Sequence, residues 1–253
     1  MISSSTASST SRIDSLISKE RSLQYWENVD ASDNGMLGGV PAVAGFSHTS
    51  KVDLQGSRSF LAKLGIGMTN DRRIVAHALE GGAGSGQHSI GRVTDGLLRG
   101  LALHIDVIEP VIKFNDKLRG NSGIRHIFNV GLEEWSPLEA VRYDLIWVQW
   151  CVGYLTDEQL LGFLKQCGQA LNPENGVMVL KENISMSGSD LFDATDGGLI
   201  REDSKFRQLF TQAGLRITKT DLQKGLPRVS SRKLLPVRMY ALKRMVDVKP
   251  TKE

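Results

Sequence analysis

The sequence predicts an α/β fold: a doubly wound, largely parallel sheet of seven strands with a helical cover at the N-terminus. Three observations predict it. From Arg73 onward, apolar runs of strand length alternate with stretches of helix length, the pattern of chains that build parallel sheets. Most of the runs lack strict polar alternation, as strands covered on both faces do. Several runs end in Gly, Glu or Asn, at the strand tips where such sheets carry their ligands.

The seven runs are "RIVAHALE", "LHIDVIEP", "IRHIFNVG", "YDLIWVQW", "GVMVLKEN", "LRITKTD" and "PVRMYALKR". Between the last runs two helices stand out. In "TDEQLLGFLKQCGQALNPENG", Thr156 and Gln159 form a capping box, Leu160, Leu164, Cys167 and Leu171 share a face, and Pro173 follows the end. In "DSKFRQLFTQAGL", Asp203 is the expected cap and Phe206, Leu209, Phe210 and Ala213 the apolar stripe. Gly214 suits the left-handed C-terminal position. Ahead of the sheet, "DSLISKERSLQYWENV" reads as one or two short helices, with Leu16, Leu23 and Trp26 at helical spacing. "SDNGMLGGVP" is turn-rich, with Met36 and Leu37 between glycines, and "SRSFLAKLGI" is a further short helix.

These elements divide the chain into a Ser/Thr-rich tail over 1–12, expected to be disordered, a helical cover over 13–64, a ligand-binding domain over 65–245 and a tail over 246–253. A single arginine in the first twelve residues argues against an organelle transit peptide. With 253 residues and 40% hydrophobic composition, one large core is possible. A net charge of +3 is too small to argue for nucleic acid. The basic stretch "RVSSRKLLPVRMYALKR" reads as a solvated sheet edge. No apolar run has the ~18–20 residues of a membrane span, and no secretory signal opens the sequence. Cys151 and Cys167 match no metal spacing, so no metal site is expected, and both thiols are expected to be buried.

The strand ends carry the chemistry. Glu80 is followed by "GGAGSG", whose glycines allow a tight turn and close approach to a ligand. A dinucleotide fingerprint starting at Gly82 would need glycine at 87, where Gln87 stands. An acid followed by G-x-G-x-G is commoner in nucleoside-binding methyltransferase sheets, although a merely structural turn has the same look. Glu109 ends the second strand. It can accept both hydrogen bonds of a ribose diol, or simply favour the helix start that follows. Pro110 and Val111 offer an apolar wall, Glu133 in "VGLEEW" can meet an adenine amino group, and Gln149 and Trp150 reach the cleft floor. Two tryptophans in one strand usually belong to the core, yet Trp150 lies at the strand end. After Asn183 the loop "ISMSGSDLFDATDGG" carries Asp190, Asp193 and Asp196 with no nearby cation before Arg201. Such a loop is ordinarily solvated; beside an adenosine site it becomes a receptor for an amine.

The chain resembles the eukaryotic protein N-terminal methyltransferases. The resemblance rests on "YWENV" with "NGMLGGV", on "EGGAG" with "IGRVT", and on "VIEPV", "VGLEEWSP", "YDLIWVQWCVGYLTD", "NPENGVMVLKEN" and the Asp193–Asp196 loop. It implies a class I, Rossmann-like enzyme that transfers methyl from S-adenosylmethionine to the α-amine of proteins beginning Xaa-Pro-Lys or Xaa-Pro-Arg, adding up to two or three methyls. It implies cofactor contacts at Gly82, Arg92, Glu109, Pro110, Val111, Leu132, Glu133 and Gln149. The substrate channel would be lined by Trp26, Leu37, Trp150, Tyr154 and Asn183. Asp193 would meet the cation at substrate position three and Asp196 the α-amine, with Asp196 and Asn183 as the catalytic pair. The implied partners are protein N-termini, ribosomal proteins among them, acted on by a monomer in the cytosol and also the nucleus.

The sequence departs from the family pattern in four places. Five residues, "SGQHS", separate the two glycine patterns where the family has a compact loop. Bulged as loop they leave Arg92 in reach of the cofactor's carboxylate; built into the helix they would carry it about 7.5 Å away. Tyr154 replaces a histidine, Ala194 and Gly198 replace an acid and a hydroxyl, and Leu235 replaces a tyrosine. Two other functions suit the same residues: a small-amine methyltransferase, which the "GMLGG" cover argues against, and a peptide-binding relative with weakened cofactor affinity.

Overall fold

The computed structural model describes residues 12–68, 71–84, 91–116, 118–227 and 234–245. The expected N-terminal tail, all but Arg12, and the "SGQHS" insertion lie outside these residues. Among the described residues there are nine strands: β1 (Val75–Gly81), β2 (Ala102–Ile108), β3 (Ile124–Phe128), β4 (Leu145–Gln149), β5 (Val177–Asn183), β6 (Leu191–Phe192), β7 (Leu199–Ile200), β8 (Leu215–Leu222) and β9 (Val237–Arg244). Seven of them form one sheet in the order β3-β2-β1-β4-β5-β9-β8. The first five pair in parallel, and β9 runs antiparallel to both β5 and β8. The strand order reverses between β1 and β4, the switch point where ligands of such sheets bind. The part of the basic stretch from Val237 to Arg244, expected at a solvated edge, forms β9 inside the sheet instead. Met239 to Leu242 of β9 are buried, and β8 takes the edge.

The strands bury both faces with the two-residue period of extended chain. Ile146, Val148, Met178, Leu180, Tyr240 and Leu242 enter one core. Leu145, Trp147, Val177, Val179, Met239 and Ala241 enter the other. The first core is closed by α6 (Asp157–Ala170) and α7 (Asp203–Gln212) through Leu160, Phe163, Leu164, Cys167, Phe206, Leu209 and Phe210. The Thr156–Gln159 capping box of α6 is formed on both sides. Gly214 has φ of 72° after α7. Asp203, however, does not cap: Glu202 is the N-cap, and Asp203 accepts from Arg207 and Tyr240 instead.

The cover comprises a 3-10 turn at Ile13–Leu16, α1 (Lys19–Asn28), α2 (Asp33–Met36) and α3 (Thr49–Ala62). Leu16 does not join the apolar face: it is 55% exposed, because the chain turns extended at Ile17 before Ser18 caps α1. Helix α3 starts eight residues earlier than the sequence suggests and ends before Gly65, whose φ is 76°. Phe60 and Leu61 sink into the second core of the sheet, so α3 shares that core. Gly56 lies where a Cβ would come 2.1 Å from the Gln223 carboxamide, which let the early turns of α3 escape a pattern reading. Short helices α4 (Arg92–Gly96) and α5 (Ile112–Asn115) follow β1 and β2.

The capping box gives a direct stability test. Thr156→Ala should lower unfolding free energy by about 1 kcal/mol and the midpoint by roughly 2–4 °C in a thermal melt. Thr156→Ser should restore most of it, since a hydroxyl can still accept from the Gln159 amide.

Candidate functional site

Two cavities open at the carboxyl ends of the strands and meet at Trp26, Met36, Trp150 and Tyr154. The first is built by loops after β1 to β4. The chain leaves β1 through Gly82 and Gly84, with φ of 69° and 56°, in the left-handed region that favours glycine. A Cβ on Gly82 would come 2.6 Å from that of Cys151. The turn brings the Gly84 amide to donate to Glu109 Oε2 at 2.8 Å, while the Val111 amide donates to Oε1, also at 2.8 Å. Each carboxylate oxygen keeps lone-pair capacity for a diol. Burial raises the Glu109 carboxyl to about 7, with the two amides pulling the other way. Glu80, quoted by the sequence reading without a role, also lines this cavity. Burial raises it to about 8, while the Thr94 hydroxyl donates to it.

Pro110, Val111, Leu132, Glu133 and Gln149 line the same cavity. Glu133 does not stand alone: Lys19 of α1 pairs with it at 2.7 Å and with Glu134 at 2.6 Å. The acid offered to an adenine amino group therefore also anchors the cover. Cys151, expected to be buried, is half-buried on the cavity floor, whereas Cys167 is buried within α6.

Helix α4 begins at Arg92, with Gly91 as its N-cap. The inserted residues thus precede its first turn, and Arg92 lines the first cavity. Its guanidinium donates to Asp53 at 2.8 Å and lies over the Trp150 ring at 5.4 Å. Trp150 has φ of 54°, a strained conformation for a bulky residue, and its buried indole N–H has no hydrogen-bond partner. That strain sets the ring at the junction of the two cavities.

The second cavity holds Leu37, Asn183, Asp193 and Asp196, and Glu182 beside them. Its described lining has three carboxylates and no Lys, Arg or His. Asp196 Oδ1 accepts from the Gly198 amide at 2.8 Å and Oδ2 from the Tyr154 hydroxyl at 2.9 Å. Burial raises the Asp196 carboxyl above the usual range despite these donors. Burial, followed by the charge of Asp196, pushes the Tyr154 phenol well above its own range. Burial also brings Glu182 to about 7, although the Asn183 amide donates to it.

The acidic loop is not the bare, solvated segment its composition suggests. It folds as a ribbon between β6 and β7, closed by Asp193 N–H to Gly198 O and Gly197 N–H to Asp193 O. Arg21 of α1 donates to the Ala194 carbonyl and stands 5.9 Å from the Phe192 ring. Its cation comes from a distant part of the sequence. Arg201, at the foot of the ribbon, is fully buried against Asp157 and two carbonyls.

Sequence reasoning missed Glu80, Glu182, Lys19, Met36 and, beneath the cleft, Asp53 and Lys181. Asp53, Ser57, Phe60 and Leu61 are all buried in α3, so an acid occupies a position of the apolar stripe. That was the available signal. The first cavity suits a nucleoside whose tail carries an ammonium and a carboxylate. In such a ligand Glu109 would face the diol, Glu80 the ammonium and Arg92 the carboxylate, and the glycine turn excludes side chains that would fill the berth.

Residues 14–243 match the family described as AdoMet dependent proline di-methyltransferase. Alpha N-terminal protein methyltransferase 1 of Schizosaccharomyces pombe is 38% identical over 222 residues, 87% of this chain and 93% of the relative. N-terminal Xaa-Pro-Lys N-methyltransferase 1 of Xenopus tropicalis is 38% identical over 209 residues, covering 81% and 87%. A SAM-dependent methyltransferase from Leishmania major superimposes with a TM-score of 0.73 at 35% identity, covering 88% of this chain and 82% of that one. NodS from Bradyrhizobium japonicum, an N-methyltransferase in complex with S-adenosyl-L-homocysteine, shares the fold alone, with a TM-score of 0.60 at 16% identity over 88% of this chain and 98% of that one. With the match spanning both cavities and the sheet beneath them, this chain belongs to the AdoMet-dependent proline di-methyltransferase family and is an S-adenosylmethionine-dependent methyltransferase.

Proposed function

We propose that the chain methylates the α-amine of proteins beginning Xaa-Pro-Lys or Xaa-Pro-Arg, with ribosomal proteins as a natural class of substrate. One observation carries the reading: an acid-lined cavity without a described cation joins the nucleoside cavity at a junction of Trp26, Met36, Trp150 and Tyr154. A cationic chain end fits the acid-lined cavity, and its nitrogen can reach the nucleoside cavity. A small amine would leave most of the acid-lined cavity and its aromatic walls without a partner. Localisation in cytosol and nucleus, and action as a monomer, are part of the same proposal.

Bound S-adenosylmethionine supplies an electrophilic methyl carbon on a sulfonium; Arg92, Glu80, Glu109, Gln149 and the Gly82 turn would hold it. The rest is positioning and proton transfer by this chain. Trp26, Leu37 and Trp150 form the apolar slot for the substrate proline. The Asn183 side-chain amide fixes the first residue, and Asp193 pairs with the cation at position three. A protein α-amine has pKa of about 7.7–8.0, so a usable fraction is neutral at pH 7. Asp196 takes the proton from the remainder, its basicity raised by burial. Tyr154 donates to Asp196 and orients it; a phenol pushed above its usual range does not serve as the base.

Peptides starting Ser-Pro-Lys, incubated with enzyme and S-adenosylmethionine, should gain one to three methyls by mass spectrometry. An N-acetylated control should gain none. Equal gain in the blocked peptide would remove α-amine specificity. Asp196→Asn should lower turnover by roughly 10²-fold, and unaltered kinetics would take Asp196 out of the mechanism. Cofactor affinity should rise with pH between about 6.5 and 8.5. Glu80 near 8 and Glu109 near 7 are protonated at the low end. A cationic ligand favours their ionised form, so binding releases protons. Titration calorimetry in two buffers of different ionisation heat measures that release; a pH-independent affinity would overturn it.

A further inference from the structure

Beneath the first cavity lies a charge cluster that reaches its lining through Arg92 and Gln149. Asp53 of α3 is fully buried. Its Oδ2 accepts from Arg92 at 2.8 Å and from the Gln149 amide at 2.9 Å. Its Oδ1 forms an ion pair with Lys181 of β5, itself fully buried. The Lys181 ammonium donates to the Asp53 carbonyl at 3.0 Å, to Ser57 Oγ at 2.9 Å and to Gln223 Oε1 at 2.9 Å. Those three bonds account for all its protons. Gln149 Oε1 accepts in turn from the Trp147 indole at 3.1 Å. Two cations thus face one anion, and Arg92 and Gln149 are the members that line the cavity.

We propose that Asp53 is a positioning residue for the cofactor: it holds Arg92 and Gln149 in the geometry that receives the cofactor's amino-acid end. The proposal rests on the reading that Arg92 meets the cofactor's carboxylate. Among the described residues, the Arg92 side chain otherwise rests on the Trp150 ring, and a guanidinium has several rotamers to choose among. A carboxylate behind it selects one and leaves the remaining donors pointed at a second carboxylate. The net single positive charge of the cluster then matches that ligand. Burial alone would raise the Asp53 carboxyl, but Arg92 and Lys181 keep it below the ordinary range, so it stays ionised.

The test compares two ligands by calorimetry. S-adenosylhomocysteine carries the amino-acid end; 5′-methylthioadenosine keeps the nucleoside and the thioether without it. Asp53→Asn should weaken S-adenosylhomocysteine about tenfold or more, the scale of a charged hydrogen bond, and leave 5′-methylthioadenosine within about twofold. Equal weakening of both ligands, or of neither, would overturn the proposal. Arg92→Gln separates that failure from failure of the underlying reading. If Arg92 does not meet the carboxylate, Arg92→Gln treats the two ligands alike. If it does and only Asp53 is misassigned, Arg92→Gln discriminates between them and Asp53→Asn does not. Should Asp53→Asn not fold, the charge-balanced pair D53N/K181M removes one buried anion with one buried cation and must show the same ligand discrimination.

Discussion

A carboxylate with no exposed surface, set between a guanidinium and an ammonium, ties three parts of this molecule that are distant in sequence. Asp53 comes from the cover, Arg92 from the helix after the glycine turn, and Lys181 from the middle of the sheet. Buried charges are tolerated when they are paired, and removing one partner of such a pair costs about 3–5 kcal/mol. The cluster therefore couples the folding of the cover to the completion of the cofactor cavity. It also explains why α3 packs into the sheet's own core instead of resting on it.

The same economy appears around the substrate cavity. Helix α1 touches both halves of the site: Lys19 pairs with the loop after β3, Trp26 lies edge-on to Tyr154 at 6.1 Å, and Arg21 reaches the acidic ribbon. The ion pairs are exposed or half-exposed and individually weak. They set where the helix lies more than how firmly it is held. The firm contacts are below, where Arg201 and Asp157 lock the foot of the ribbon to α6.

Much of the architecture was legible because β-strands buried on both faces and amphipathic helices leave different periods in a sequence. The seven runs, the capping box at Thr156 and the turn at Gly214 follow from local chemistry. The residues that the resemblance implied for the site lie along the two cavities: Trp26 and Leu37 come from the cover, and the others follow the first strand, most of them close to a strand end. What escaped reading was non-local. Asp203 looks like a cap until Tyr240 and Arg207 claim it. The basic stretch looks like an edge until β8 folds outside it. The acidic loop looks unpaired until Arg21 arrives from the cover. Asp53 looks like surface because nothing near it in sequence says which cations will meet it.

Tyr154 has one more consequence. An imidazole at that place could become a cation as the medium turns acid and would partly neutralise its surroundings. A phenol has no such form. Burial raises Glu182 and Asp196 of this lining above the ordinary carboxylate range, so at these two groups protons and an incoming ammonium group are rivals for the same oxygens.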